Sequence, residues 1–408
     1  MRISSNTLFE NSVSQLGTLQ GNLAKTQMQL ASNRRMLTAA DDPIAASRAL
    51  EITQSQAVNS QFAVNRQNAR ASLSEVELTL GGVTSLIQDV QTLAMSAGNG
   101  VLKPSDLSTI ATELSGRLDD LLGLANSADT SGGYMFGGFR TTTPPFSKTA
   151  SGADYNGDQG QRKLQVGLSR EVPISDSGNS IFQSNVTGNG IFALSAGPGN
   201  TGAGLVGAGV VTDRQALLNR NYEITFRVTG TPAVTSYNVI DTTTGAAPAG
   251  FVGPAQFASG QQIKFDGISF DIKGNPANGD SFTVAPSKRQ SLFETVSNLI
   301  TALRAPAGGT GGGAALSNEL TKARENLGSA LDNVLGKRAA VGTSLKELDN
   351  LDSLGEDLNV QYATTLSGLQ DLDTAATISL FTQQQFMLEA AQKSFKSMSS
   401  LSLFNYIS

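Results

Sequence analysis

The C-terminal part of the chain carries the stretch LFTQQQFMLEAAQKSFKSM, residues 380–398, in which apolar side chains recur every three or four residues. A similar narrow stripe lies within residues 3–33. This spacing places the apolar side chains along one side of a helix, as in a coiled-coil seam. The seam residues are Phe9, Leu16, Leu19, Leu23, Leu30, Phe381, Leu388, Ala391, Phe395 and Met398. We predict that residues 3–33 and 370–408 pair with each other, although two surface helices on one globular core remain an alternative.

Polar residues interrupt both stripes. Ser12 and Thr26 occupy seam positions in the first segment, and Gln384 occupies one in the last. Gly17 and Gly21 each lower helix stability by roughly 1 kcal/mol relative to Ala. We therefore expect both segments to be marginal as isolated helices and stable only when packed.

The composition excludes several classes of function. With a net charge of −5, the 408-residue chain has no basic surface to hold nucleic acid. It contains no Cys and no His, which removes the thiolate nucleophile, the imidazole base and the ordinary zinc site. An all-oxygen calcium or magnesium site stays chemically open, but the acidic residues within 349–357 lack the spacing of a calcium loop. No window is apolar enough to span a membrane, and no secretory h-region follows Met1. We expect no enzyme activity, no cofactor and no membrane insertion.

Long helical patterns flank the middle of the chain. One runs from Pro43 to about residue 95, which is roughly 80 Å of helix and is typical of a rod or coiled coil. Asp42 and Pro43 are expected to begin it as N-cap and first helical residue. Another helix begins at Pro104 and is predicted to reach Gly132 and Gly133. The helical period returns at 289–303, and again from Leu316 nearly to the end.

Residues 148–286 change to Gly, Thr, Ser and Asn with short β-branched runs. Asp266 and Gly267 form a tight-hairpin signal between two of these runs. The candidate strands are 162–167, 222–228, 236–240, 262–265, 268–272 and 282–285.

The predicted fold is mainly α with an all-β insert. Its long N- and C-terminal helices form a coiled-coil or helical-bundle rod, and a small β-rich domain lies at the tip. We predict three domains. They are a terminal coiled-coil assembly domain (1–40 plus 360–408), a long-helix core (41–147 plus 287–359) and a β-rich outer insert (148–286).

Both ends and two internal passages resemble the bacterial flagellin family. The matching stretches at the ends are MRIS (1–4), RRML (34–37), ADDPIAA (40–46), EAAQKSF (389–395) and LSLFNY (401–406). The matching stretches at the passages between the helical parts and the β insert are LGLAN (122–126), GYMFGG (133–138) and GDSFTVAPS (279–287). The last residues add Leu401, Leu403 and Phe404 to the candidate assembly surface.

The resemblance implies a structural protein of the flagellum that joins hook to filament as a ring-like homo-oligomer. Hook-associated protein 1 and flagellin would be its neighbours, and the flagellar type III apparatus would export it unfolded, without a cleaved signal peptide, to the cell exterior. A cytoplasmic export chaperone would hold its C-terminal helix.

Two alternatives stay open. One is the flagellin filament subunit itself, although the two ends look less like that protein. The other is a binding or enzymatic module in the insert, whose scattered acids include Asp154, Asp158, Asp176 and Asp241. These acids lack the paired spacing that catalysis would require.

Overall fold

A computed structural model describes residues 5–100, 102–305 and 312–400. Within them, long helices lie at both ends and a β-rich region lies between, which confirms the predicted fold class of a mainly α protein with a β insert. The helices are Ser5–Ser32 (α1), Pro43–Ala97 (α2), Pro104–Ala125 (α3), Leu292–Arg304 (α4), Gly312–Gln370 (α5) and Thr374–Ser400 (α6).

The chain divides into two compact units. Unit 1 comprises residues 1–64 and 350–408, and unit 2 comprises residues 65–349. Helices α2 and α5 each contribute residues to both units. The three-domain division stays a prediction.

The strands of unit 2 are short. They are Phe146–Thr149 (β1), Gly152–Tyr155 (β2), Lys163–Gly167 (β3), Arg170–Pro173 (β4), Asn185–Val186 (β5), Phe192–Ala196 (β6), Leu205–Val206 (β7), Val210–Val211 (β8), Tyr222–Thr229 (β9), Val234–Asp241 (β10), Ala255–Gln256 (β11), Gln262–Phe265 (β12), Ile268–Lys273 (β13), Ser281–Pro286 (β14) and Arg289–Gln290 (β15). A single turn of π-helix, Asn179–Gln183, lies between β4 and β5.

All strand pairs are antiparallel within the described residues. A five-stranded sheet has the order β11-β10-β9-β14-β6, and a second sheet has the order β12-β13-β7 with β8 also paired to β13. The pairs β1-β2, β3-β4 and β5-β15 are separate ribbons. In the β12-β13 hairpin Phe265 pairs with Ile268, and both turn residues, Asp266 and Gly267, have positive φ (42° and 75°). A type I′ turn requires this conformation, so the predicted hairpin is confirmed.

Two helix ends differ from the sequence predictions. Helix α3 ends at Ala125, because the Asn126 side chain pairs with the backbone of Phe146 in both directions (Nδ2 to O 3.0 Å, N to Oδ1 2.9 Å). The long C-terminal pattern breaks at residues 371–373. There the Asp373 carboxylate accepts a hydrogen bond from the Ala376 N–H (3.0 Å) and begins a new helix as its N-cap.

Unit 2 contains two hydrophobic cores. The first lies among α2, α3, α4 and α5 and includes four buried aromatic rings, Phe136, Phe146, Phe182 and Phe293, with neighbouring centroids 5.0–5.8 Å apart. The second lies between the sheets and includes side chains from β6, β9, β13 and β14. Each core is large enough to stabilise its part of unit 2 by apolar burial.

Asparagines of α5 attach the β region to the helices of unit 2. Asn318 donates to the Gly204 carbonyl (2.9 Å) and accepts from the Val206 N–H (2.9 Å). Asn326 accepts from the Gly188 N–H, and Asn333 donates to the carbonyls of the π-helix. Spacings of eight and seven residues place the three amides on one side of α5. The insert is therefore fixed to α5 by hydrogen bonds from asparagine side chains to its backbone, as well as by apolar packing.

Candidate assembly surface

The described part of unit 1 has almost no hydrophobic core of its own. Among its described residues, the only buried apolar side chains are those of Ala45 and Ala49. The other buried side chains are polar, namely Thr26, Asn59 and Thr377. Every buried Leu, Ile, Val, Met or Phe among the described residues lies in unit 2. Two alanines bury too little apolar surface to offset the conformational entropy of four helical segments.

Helix α1 packs against α6 in the antiparallel direction. The rings of Phe9 and Phe395 lie 5.2 Å apart at one end, and Arg34 forms a β-bridge with Asp371 at the other. The two predicted stripes thus face each other. Phe9 is still 50% exposed and Met398 40% exposed, whereas the remaining seam residues are half-buried: Leu16, Leu19, Leu23, Leu30, Phe381, Leu388, Ala391 and Phe395. Leu401, Leu403 and Phe404 lie outside the described residues.

The polar seam positions weaken this helix pair. Thr26 is buried and bonds back to the Asn22 carbonyl (3.0 Å) of its own helix. The Gln384 Oε1 is buried with no hydrogen-bond partner among the residues described. A buried carbonyl left without a donor destabilises by roughly 1–3 kcal/mol. The seam therefore joins α1 to α6 without making the pair strongly stable.

Apolar side chains also cover the outside of unit 1. Phe386 of α6, for example, is 73% exposed. The exposed large apolar residues of this unit are Phe9, Val13, Met28, Ile44, Leu50, Val58, Val64, Leu354, Val360, Ile378, Leu380, Phe386, Met387 and Met398. We call this set the exposed apolar surface of unit 1. Exposed apolar side chains mark sites of protein–protein contact where they lie together in one patch.

A polar joint connects α1 to the start of α2. The Lys25 ammonium bonds to the Asp41 carboxylate (2.6 Å), which also accepts the backbone N–H groups of Leu37 (3.0 Å) and Thr38 (2.9 Å). The Lys25 hydrogen bond, followed by the two backbone bonds, lowers the pKa of Asp41 to about 2. Asp41 therefore stays ionised, and keeps these bonds, at any pH above the acid range.

The same joint connects residues 33–42 to the end of α5. Arg35 donates its backbone N–H to the Gln370 carbonyl (2.8 Å) and its guanidinium to the Leu369 carbonyl (3.0 Å). Asp42 accepts from the Ala45 N–H (3.0 Å), which confirms it as the predicted N-cap of α2. The cap is visible in the sequence but the joint is not, because no local pattern indicates that Arg35 reaches a carbonyl more than 300 residues away.

The described residues contain no group of three or more acidic side chains that could hold a metal ion. Among the same residues, no helix has the length and apolar character needed to cross a membrane.

Terminal helices that pair with each other and flank a β insert are the features expected of the bacterial flagellin class, and the comparisons agree. Residues 3–141 match the bacterial flagellin N-terminal helical region, and residues 196–286 match the D2-like domain of flagellar hook-associated protein 1.

Relatives that match along nearly the whole chain identify the particular group within this family. The chain is 29% identical over 405 residues to flagellar hook-associated protein 3 of Escherichia coli K12, covering 99% of both chains. It is similar to the crystal structure of hook-associated protein 3 from Legionella pneumophila (32% identity, TM-score 0.74, 78% of this chain and 98% of that one). It is also similar to that of FlgL from Xanthomonas campestris (30% identity, TM-score 0.70, 78% and 99%). The chain belongs to the hook-associated protein 3 group of the bacterial flagellin family.

Proposed function

We propose that the chain is a structural protein of the flagellum that forms the junction between hook and filament. It assembles as a ring-like homo-oligomer through unit 1. The observation that carries this proposal is the imbalance among the described residues of unit 1, where two alanines are the only buried apolar side chains and fourteen large apolar side chains are exposed. Relatives named as hook-associated and junction proteins support the same role.

Neighbouring subunits supply the burial that unit 1 lacks. Full burial of a Leu or Phe side chain contributes roughly 1.5–3 kcal/mol. Ordering one residue of backbone costs about 1–2 kcal/mol. The half-buried seam between α1 and α6 falls short of offsetting this cost over two helices. Stacking of subunits covers the remaining apolar surface and completes the fold of unit 1.

The proposed partners follow from this position. Hook-associated protein 1 lies on the hook side and flagellin on the filament side, and the assembled protein is extracellular. The chain reaches that position through the flagellar type III export apparatus, without a cleaved signal peptide. Weak seam positions such as Gln384 help to keep the terminal helices separable during export.

A cytoplasmic chaperone covers α6 before export. Its binding face is the one that carries Phe381 and Phe395. Co-purification from cytoplasm tests this: the full chain is expected to retain a bound partner, and the F381S/F395S variant is expected to lose it. Equal recovery with both chains would assign the chaperone site to another segment.

The β insert acts as a spacer and has no catalytic role in this proposal. The Asp158 carboxylate accepts the Phe139 and Gly160 N–H groups, Asp176 pairs with Lys337 (2.6 Å), and Asp241 pairs with Arg220 (2.8 Å). These acids hold loops and strand ends in place.

Localisation on intact flagella tests the function against the filament-subunit alternative. A strain that produces this chain as its only copy is labelled with gold-conjugated antibody against residues 148–286. We expect label in a narrow band at the hook–filament boundary. Label along the whole filament would assign the chain as a filament subunit, and absence of label from flagella would refute the proposal.

A further inference from the structure

An open cavity of about 290 Å³ lies beside the polar joint of unit 1. Most of its lining comes from the 33–42 segment and the first turns of α2. Apolar side chains such as Leu37, Ala46, Ala49 and Leu50 lie there beside the polar residues Arg34, Thr38, Thr53 and Gln370. Leu50 is 70% exposed although it lines the cavity, so its side chain has room to cover an inserted group. We call this feature the joint cavity.

The lining of the joint cavity includes one cationic side chain and no carboxylate. Arg34 forms part of its lining, and among residues 5–100, 102–305 and 312–400 the structure shows no ion pair for this guanidinium. Arg35, next in sequence, shares its charge between Asp42 (3.5 Å) and the end of α5. A ligand for this cavity therefore combines an apolar group with at least one negative charge.

The outer side of α5 offers this combination. Asn59 of α2 bonds to the Gly355 carbonyl (2.8 Å) and to the Asn359 side chain (3.0 Å), which defines the inner side of α5. Val360 follows Gly355 by five residues, roughly 140° around the helix, and is 67% exposed. Glu356 and Asp357 lie one turn before Val360 on the same outer side, and neither forms an ion pair within the described residues.

A chain cannot insert its own Val360 into its own joint cavity. Gln370 is the α5 residue that lines the cavity, and ten residues of continuous helix, roughly 15 Å, separate it from Val360. The apolar side chain and the cavity are thus complementary but held apart within one copy. Such a pair of patches joins copies head to tail, and head-to-tail contacts generate rings or helices.

We infer that the joint cavity of one copy receives Val360 of a second copy, with Arg34 facing Glu356 and Asp357. This inference rests on the proposed function and identifies one contact within the ring. The exposed Phe386 of α6 is the rival occupant, but its nearest charged neighbours on the helix include Lys393 as well as Glu389. The charge of Arg34 favours the α5 surface, which carries two acids and no nearby base.

Cysteine cross-linking tests the contact directly, because the chain has no native cysteine. The full chain with L50C and V360C replaces the native copy, flagella are isolated, and a short bismaleimide is added. We expect a ladder of covalent oligomers on denaturing gels for the double variant and none for L50C or V360C alone.

Flagella that contain the variant but give no ladder would overturn the inference. A ladder from L50C/F386C instead would place α6 in the cavity. If the unsubstituted chain is also absent from isolated flagella, both the proposed function and this contact are wrong.

A charge exchange provides an independent readout without cross-linking. R34E places three acids against one another and is expected to reduce the amount of chain in isolated flagella about tenfold, since like charges at an interface cost at least 1.4 kcal/mol. E356R/D357R is expected to give a similar loss, and R34E/E356R/D357R is expected to recover most of it. Absence of recovery, with each variant melting like the unsubstituted chain, would contradict the pairing.

Discussion

A Leu388→Asp substitution is expected to leave cells with hooks but without filaments. Leu388 lies in the half-buried seam of α6, so the new carboxylate loses water without gaining a partner. Such a group destabilises the packed state by several kcal/mol. The α1–α6 pair therefore fails to form. Without ordered helices, the exposed apolar side chains of unit 1 are no longer held in place for contact with neighbouring subunits. Electron microscopy of negatively stained cells is expected to show filament counts at the level of a deletion strain.

Gln385→Asp is the matched control for this variant. It adds the same carboxylate to the same helix, but Gln385 is exposed and lies one turn before the natural acid Glu389. We expect normal filament numbers. Unfolding of unit 2 is expected to be the same in both variants, because unit 2 has its own cores. Normal filaments with Leu388→Asp would show that the seam is dispensable for assembly.

Phe182→Ala is expected to lower the free energy of unfolding of unit 2 by about 3–5 kcal/mol, as removal of a buried aromatic ring does in other proteins. The Phe182 ring is fully buried and contacts the rings of Phe136, Phe146 and Phe293. These four side chains connect the π-helix, the β1-β2 hairpin and α4. Urea unfolding followed by far-ultraviolet circular dichroism measures the loss as a shift of the transition midpoint.

Phe139→Ala controls for the loss of an aromatic side chain. Phe139 is 67% exposed, and we expect its removal to change the free energy of unfolding by no more than about 0.5 kcal/mol. Equal shifts for Phe182→Ala and Phe139→Ala would contradict the assignment of the aromatic cluster as the centre of the first core.

Local sequence signals were sufficient for most of the helices and for part of the insert. The spacing of Leu388 and Phe395 predicted the inner side of α6, and Asp42 with Pro43 predicted the start of α2 at the residue where it begins. Turn chemistry at Asp266 and Gly267 predicted the tight hairpin between β12 and β13. These features are local, so they depend only on neighbouring residues.

Features that depend on distant residues were missed. Five strands have only two residues each, namely β5, β7, β8, β11 and β15. Each exists only because a partner strand lies beside it. At the helix break of residues 371–373, the Arg35 N–H donates to the carbonyl of Gln370, the last residue of α5. The end of α3 is fixed by the hydrogen bond from the Asn126 side chain to the Phe146 backbone. The joint cavity likewise combines the 33–42 segment with α2 and Gln370. Sequence patterns carry no signal for such pairings.

Hydrogen–deuterium exchange tests the central claim, that neighbouring subunits complete the fold of unit 1. Exchange is measured by mass spectrometry on the free chain and on isolated flagella, with peptides from α4 as an internal reference. We expect amides of α1 and α6 to exchange rapidly in the free chain and to become strongly protected in flagella, while α4 is protected in both. Strong protection of α1 and α6 in the free chain would contradict the account, because it would show that unit 1 is stable without its neighbours.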